Sequence, residues 1–477
     1  MATYLARPAR ILAFCTVVFL ILLSGTTTRS HALHATPSAP GSSFFFMASF
    51  LNQGYGFRKL ITIQSSQVSG SGTLSNFPVL ISVTDNDLRT IANGGSVNDA
   101  NGYDIIFTDR DGTTILNHEI EAYDAITGNY LAWVNVPSVS ATTDTEIYLY
   151  YGNSTVSADP SSGSTWDANF AAVYHFPSAS NFADGTSNNN DGTNNGSTDA
   201  AGQIGRGRSF DGTNDQITVT NSSSLDITGN QITLEAWVNA PVPNTDDSPF
   251  LMKASTGNQE AYMLGIDGGA ATSNVNTRIY YGSSLFRDDS GNIHNNTWTQ
   301  VVFTYDGSLG SNPRKTVYVN GASVATHDAD GNIASNTADL SIGKRVNSRY
   351  FEGILDELRI SNTVRSADWI TTEYNNQNAP GSFITVGAAE ANPCSSFSAG
   401  TATATDSNVE SGNSTTITLT GQDAGATSIQ WQSSSDNVTF SDLSGETATT
   451  LNTGAITQTT FFRAVVSDAT CTGNSTS

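Results

Sequence analysis

Short runs of β-branched and aromatic residues, each closed by a turn signal, recur along nearly the whole chain. No stretch of comparable length carries a helical period. RKLITIQ, FPVLISV, YDIIFTD, YLAWVNV and TEIYLYYG follow residue 54. DQITVT, QITLEAWVN, AYMLGID, TRIYYG, WTQVVFTYDG, KTVYVNG, ADLSIG and FEGILDELRIS lie further on, and TTITLTG, SIQWQSS, VTF and TFFRAVVSDATC come last. Such residues suit a pleated, half-buried surface on which side chains alternate. The chain is therefore expected to be all-β. Asp111-Gly112 and Thr127-Gly128 separate early strands. Asn320-Gly321 predicts a tight hairpin, because both residues tolerate positive φ. SADWITTEYNN is a short candidate helix with Ser366 as its cap.

The length of 477 residues allows roughly two to four domains. The strand spacing predicts a compact antiparallel β-sandwich at 54–153. A large two-sheet jelly roll is expected at 160–390, and a smaller β-module at 392–477. Residues 33–53 read as a linker and an entering strand.

Charge narrows the function. There are 20 Lys+Arg against 43 Asp+Glu, a formal charge of −23, and only 13% of residues are charged. That share is about half the usual one, and Gly, Ser, Thr and Asn fill the difference. Nucleic acid demands basic patches, so it is excluded as a partner, and anionic membrane surfaces are disfavoured for the same reason. Arg7 and Arg10, the apolar run ILAFCTVVFLILLSG and Ser30-His31-Ala32 predict a secretory signal over residues 1–32. The run is short for a membrane span of about 20 residues, and no later segment is long and apolar enough to insert after cleavage. The protein is expected to be secreted or held at the cell surface. Cys394 and Cys471 then remain, and in an exported chain a disulfide is the natural reading.

Three resemblances follow. YDIIFTDRDGTTILNHEIEAYD, LAWVNVP and TDTEIYLYYGN resemble a bacterial domain family of unassigned function found in exported multi-domain proteins; that likeness brings no chemistry. SFDGTNDQITV, ITLEAWV, WTQVVFTYDG, VYVNG, IGK and LDELRISNTVRSADWI, in that order over about 166–390, resemble the concanavalin A-like, laminin-G-type (LamG) jelly roll of bacterial surface proteins. That likeness implies a binding module, in many members with a structural calcium ion. The segment 392–477 resembles an immunoglobulin-like module, with one edge strand fewer than expected. Trp431 is expected to pack against a Cys394–Cys471 bridge.

FEGILDELRIS poses the chemical question. Strict alternation puts Ile354, Asp356, Leu358 and Ile360 on one face and Leu355, Glu357 and Arg359 on the other. A carboxylate among apolar neighbours is costly without a partner. The laminin-G likeness implies that Asp211 and Asp356 meet near one calcium, with Asp215 as a third ligand, and calcium takes oxygen donors. The alternative is Asp356 bonded to backbone amides or to an arginine such as Arg208. Glycoside hydrolysis needs two carboxyl groups about 5–5.5 Å or 6.5–9.5 Å apart. Asp356 and Glu357 point to opposite faces, and Glu352 and Asp356 lie about 13 Å apart along a strand. The Glu-x-Asp-x-x-Glu pattern of jelly-roll glucanases does not occur, nor does a His-Glu-x-x-His, Walker or Gly-x-Ser-x-Gly motif.

His118, His175, His294 and His327 are widely spaced, and His118 beside Glu119 reads as a solvated strand residue. The segment 328–339 echoes a calcium loop faintly, but its glycine falls at the wrong position, so it reads as a plain loop. Tyr262, Tyr281, Phe286 and Tyr350, near loops among Asn, Arg and Asp, are the candidate sugar platforms. Trp237 and Trp298 are expected in the core. The sequence thus predicts a non-catalytic exported protein whose jelly roll binds an extracellular glycan or another surface ligand. A spacer without ligand is the alternative, and a glycoside hydrolase on a jelly-roll fold comes third.

Overall fold

The computed structural model describes residues 54–474 apart from short stretches at 178–180, 243, 245–246, 256–258, 269–272, 282–283, 309–313, 329–330, 347–348, 393, 395–396 and 469–470. The expected signal, linker and entering strand lie outside these residues. The fold is all-β, as the strand pattern predicts.

The first sandwich joins two sheets. Phe57–Ile63 pairs along its length with Thr145–Tyr151, which pairs with Ile106–Asp109. Across the core lie Thr73–Thr84, Asn129–Ser140 and His118–Asp124, hydrogen-bonded in that order. Ile61, Phe77, Val79, Ile81, Phe107, Val134, Ile147 and Leu149 fill the space between them. Their neighbours Leu80 and Trp133 are buried as well, so parts of these strands are covered on both faces.

The chain border near 153 does not delimit the folded body. Ile384–Val386 and Glu390–Ala391, at the end of the jelly-roll segment, pair with the free edge of Phe57–Ile63. The helix Ala367–Asn378 lies on Thr73–Thr84, with Trp369 edge-on to Phe77 at 4.7 Å. Asn376 replaces a missing strand neighbour: its side chain accepts from Leu80 N–H at 2.7 Å and donates to Leu80 C=O at 3.0 Å. Buried backbone groups need such partners. Residues 54–391 are thus interlocked at both ends.

Ser366 caps that helix as expected, accepting from Trp369 N–H at 3.1 Å. Ser366→Ala should lower stability by about 1 kcal/mol in a thermal melt; an unchanged midpoint would show that the cap carries no energy.

The jelly roll stacks two large sheets. One runs Thr198–Ala201, Arg206–Asp211, Glu352–Ser361, Gln231–Asn239, Thr299–Asp306, Arg314–Val319, Ala322–Asp328, with Phe170–Tyr174 also pairing to Glu352–Ser361. The other includes Gln216–Val219, Leu340–Ile342, Ser248–Ser255, Gln259–Gly268 and Ser273–Tyr281. Asn320 and Gly321 sit at φ 51° and 75°, as the hairpin signal requires. The C-terminal module is a smaller two-sheet sandwich around Ile417, Leu419, Trp431, Leu451, Ala464 and Val466. Cys394 and Cys471 are bonded, with Cα atoms 5.5 Å apart.

Candidate functional site

The strand Glu352–Ser361 does not alternate strictly. Arg359 stands opposite Glu235 and Asp356 opposite Trp237, so Glu357 and Leu358 share the place facing Ala236. Two residues against one is a β-bulge, and Glu357 takes the left-handed conformation, φ 48°. The extra residue resets the faces. Leu355, Leu358 and Ile360 all enter the jelly-roll core. Asp356, Glu357 and Arg359 turn outward, toward the first sandwich. The expected apolar setting of Asp356 is therefore corrected, although the side chain is fully buried. Its carboxylate accepts from Ile204 N–H and from Glu357 N–H, both at 2.8 Å. The backbone-amide alternative describes it. Burial, then the charges of Glu357 and Glu121, pushes its pKa well above the usual carboxylate range.

The facing sheet carries a second bulge. Glu119 pairs with Trp133 across the ladder, and Glu121 is the extra residue between Ile120 and Ala122. Trp133 Nε1 donates to Glu121 Oε2 at 2.9 Å, and Trp166 Nε1 donates to Glu119 Oε2 at 2.6 Å. His175 packs against both indoles, which also touch each other at 5.6 Å; it is stacked on Trp133 with centroids 5.7 Å apart and tilted on Trp166 at 5.5 Å. Its Nδ1 is 2.6 Å from Glu357 Oε1 and 3.9 Å from Glu121 Oε2; its Nε2 is 3.6 Å from Glu119 Oε2. Arg359 lies over Trp133 and Trp166, at 4.3 and 4.8 Å. It pairs with Glu357 at 2.7 Å and with Glu373 of the helix.

Electrostatics follow from this crowding. Burial disfavours charged His175, yet Glu357 and Glu119 hold its pKa well above the ordinary imidazole value. Burial raises Glu357 and Glu119, but His175, with Arg359 in the case of Glu357, draws both below the usual range. Glu121 receives less help: burial and then Glu357 push it up to about 8.

Glu235 is raised well above normal by burial and by Glu373. Glu235 Oε1 and Glu373 Oε2 meet no donor among the described residues. The folded pKa lies above the unfolded value near 4.5. The native state then keeps a proton that the unfolded chain has lost, and stability falls as pH rises above about 4.5. Glu235→Gln should leave the melting midpoint unchanged near pH 4 and raise stability at pH 8, by about 1.4 kcal/mol for each unit by which the fold raises the Glu235 pKa. A variant weaker than wild type at pH 8 would contradict this.

Beside the buried cluster opens a cleft of about 470 Å³, lined by Ser161, Ser162, Ser164, Thr186, Ser187 and Asn189, with Asp184 and with Glu119 in its floor. Gly185 is required there, since a Cβ would stand 2.7 Å from Glu119 Oε2 and 3.0 Å from Trp166 Nε1. Asp184 holds the loop by accepting from Val173, Thr186 and Asn190 N–H.

The other candidate residues go elsewhere. Register sets Asp211 opposite Glu352, four residues from Asp356 and so about 13 Å away along the strand. Asp211 is exposed and accepts from Thr213 and Asn214 N–H, while Asp215 accepts from Asp211 N–H at 2.9 Å. These two hold a turn, and the expected calcium trio is not assembled. Tyr262 is fully buried in the jelly-roll core and donates to Leu225 C=O at 2.9 Å, so it is no sugar platform. Tyr350 is half-buried beneath Lys344. The side chains of Tyr281 and Phe286 lie outside the described residues.

His118 is buried, not solvated, and meets Phe107 edge-on at 5.2 Å. Trp237 is buried under Tyr374 of the helix, whereas Trp298 is half-buried ahead of its strand. Sequence reasoning missed Glu119, Glu121, His175, Arg359 and Glu373 as one group. The local signals were Glu-x-Glu on one strand and Asp-Glu-x-Arg on another.

Comparison with known proteins covers the chain in parts. Residues 211–371 match the family model of the concanavalin A-like lectin/glucanases superfamily, so a jelly roll of that type is present. Residues 101–194 and 398–477 match two domains of unknown function, DUF2341 and DUF8696. No curated protein matches the chain in sequence. Among solved structures, domain 4 of the GH43 extracellular arabinanase AbnA from Geobacillus stearothermophilus, in complex with arabinotriose, is 20% identical with a TM-score of 0.35, over 43% of this chain and 97% of that one. The binding domain of Paraclostridial Mosquitocidal Protein 1 is 11% identical with a TM-score of 0.36, over 63% and 75%. For the botulinum neurotoxin serotype G binding domain the figures are 14% and 0.34, over 43% of this chain and half of the neurotoxin domain.

Proposed function

We propose that the chain is an exported, non-catalytic binding protein that takes an extracellular glycan, or another hydroxyl-rich surface ligand, in the cleft at the seam of the two sandwiches. The observation that carries this reading is the cleft lining. Apart from two glycines it consists of hydroxyl, amide and carboxylate side chains, which match the donors and acceptors of a sugar. Hydrolysis is less well supported, because both carboxylates of the cleft are committed. Glu119 holds Trp166 and faces His175, and Asp184 holds its own loop. Export is supported by the Cys394–Cys471 bridge and by the charged-then-apolar start of the sequence.

A glycan array probed with the full chain and with Ser187→Trp tests the reading. Ser187 is exposed, so an indole there fills the cleft without entering the core. Wild type should bind a defined glycan set, and the variant should lose at least tenfold in affinity with its melting midpoint kept. Absence of binding by wild type would favour the spacer alternative.

A further inference from the structure

The two bulges bring three metal-binding side chains to one point. One donor atom each from Glu121, His175 and Glu357 lies within 4.8 Å of the other two. We propose that this trio holds a divalent first-row transition ion, with zinc as the representative, at the seam between the sandwiches. The set of one imidazole and two carboxylates is one that zinc takes, and imidazole selects against calcium and magnesium.

The surroundings are those of a built site. Each ligand has a partner that orients it. Trp133 Nε1 donates to Glu121, Arg359 donates to the second oxygen of Glu357, and Glu119 stands 3.6 Å from His175 Nε2. A ligating histidine usually gives its other N–H to a carboxylate, and Glu119, at 3.6 Å, stands just beyond that reach. The ring of His175 is fixed by the two indoles. Among the described residues, His175 Nε2 and Glu121 Oε1 meet no hydrogen-bond partner, on side chains 8% and 5% exposed. With Nδ1 on the ion, Nε2 carries the proton, and a shift of a few tenths of an ångström from the present 3.6 Å lets it donate to Glu119.

A four-coordinate ion with bonds of about 2.0–2.1 Å needs donors about 3.4 Å apart. The present distances from His175 Nδ1, 2.6 Å to Glu357 Oε1 and 3.9 Å to Glu121 Oε2, reach that value by side-chain shifts of about an ångström, the first opening and the second closing. Glu119, which lines the cleft and faces His175, links the trio to that opening.

The test uses the full chain, stripped with chelator and titrated with Zn²⁺ by calorimetry, and with Co²⁺ by visible absorption. One equivalent should bind, a four-coordinate cobalt band should appear, and the melting midpoint should rise with free Zn²⁺. Glu121→Gln keeps the acceptor for Trp133 and should weaken binding at least tenfold; His175→Gln should abolish the cobalt band. Asp211→Asn should change nothing. A folded Glu121→Gln chain that binds Zn²⁺ as wild type does would overturn the proposal, as would a wild-type chain that binds none. If His175→Gln fails to fold, the Glu121 variant decides.

Discussion

Arg359→Met should destabilise the 54–391 body by about 3–5 kcal/mol, the usual cost of removing one partner of a buried ion pair. Arg359 is 1% exposed. It neutralises Glu357 and Glu373 and lies over two indoles. Methionine keeps the packing of the stem but takes the counter-charge from Glu373 and leaves Glu357 with His175 alone, among side chains that water does not reach. At about 2.1 cal/mol/K per residue, that cost lowers the melting midpoint by roughly 4–7 °C for a body of this size. Arg206→Ala is the control: its pair with Asp199 is solvent-exposed, and such pairs contribute about 0–1 kcal/mol. A drop as small as the control's would show that the seam does not depend on its charges.

Removal of the bridge should act on the C-terminal module alone. Cys394 and Cys471 are 77 residues apart in sequence. In the chain-entropy model, closing such a loop stabilises by about 4 kcal/mol. The module has a small core, centred on Trp431, and little reserve. Cys394→Ser with Cys471→Ser should lower the calorimetric transition of 392–477 by on the order of 20 °C. The transition of 54–391 should stay in place. Two transitions moving together would contradict the separation.

The strand inventory was legible because runs such as QITLEAWVN and WTQVVFTYDG carry β-branched and aromatic residues between clear turn signals. The helix after Ser366 and the turn at Asn320-Gly321 were legible for the same local reasons. The seam was not. Its residues come from strands whose partners are set by long-range register: His175 meets Glu357 across 182 positions. Alternation, applied to FEGILDELRIS, placed Asp356 on the apolar face because a bulge at Glu357 leaves no local mark. Glu119 was set aside with His118 for want of companions nearby in sequence. Those companions, Trp166 and His175, lie in the segment assigned to the next domain. The calcium trio failed for a register reason too, since the ladder puts Asp211 beside Glu352.

The location of the ligand is the central claim, and hydrogen exchange tests it directly. The full chain would be compared with and without its best array glycan at saturation. Added protection should fall on 161–164, 184–189 and the strand His118–Asp124, which together surround the cleft. Protection confined to the region around Tyr350, away from the cleft, would contradict the account.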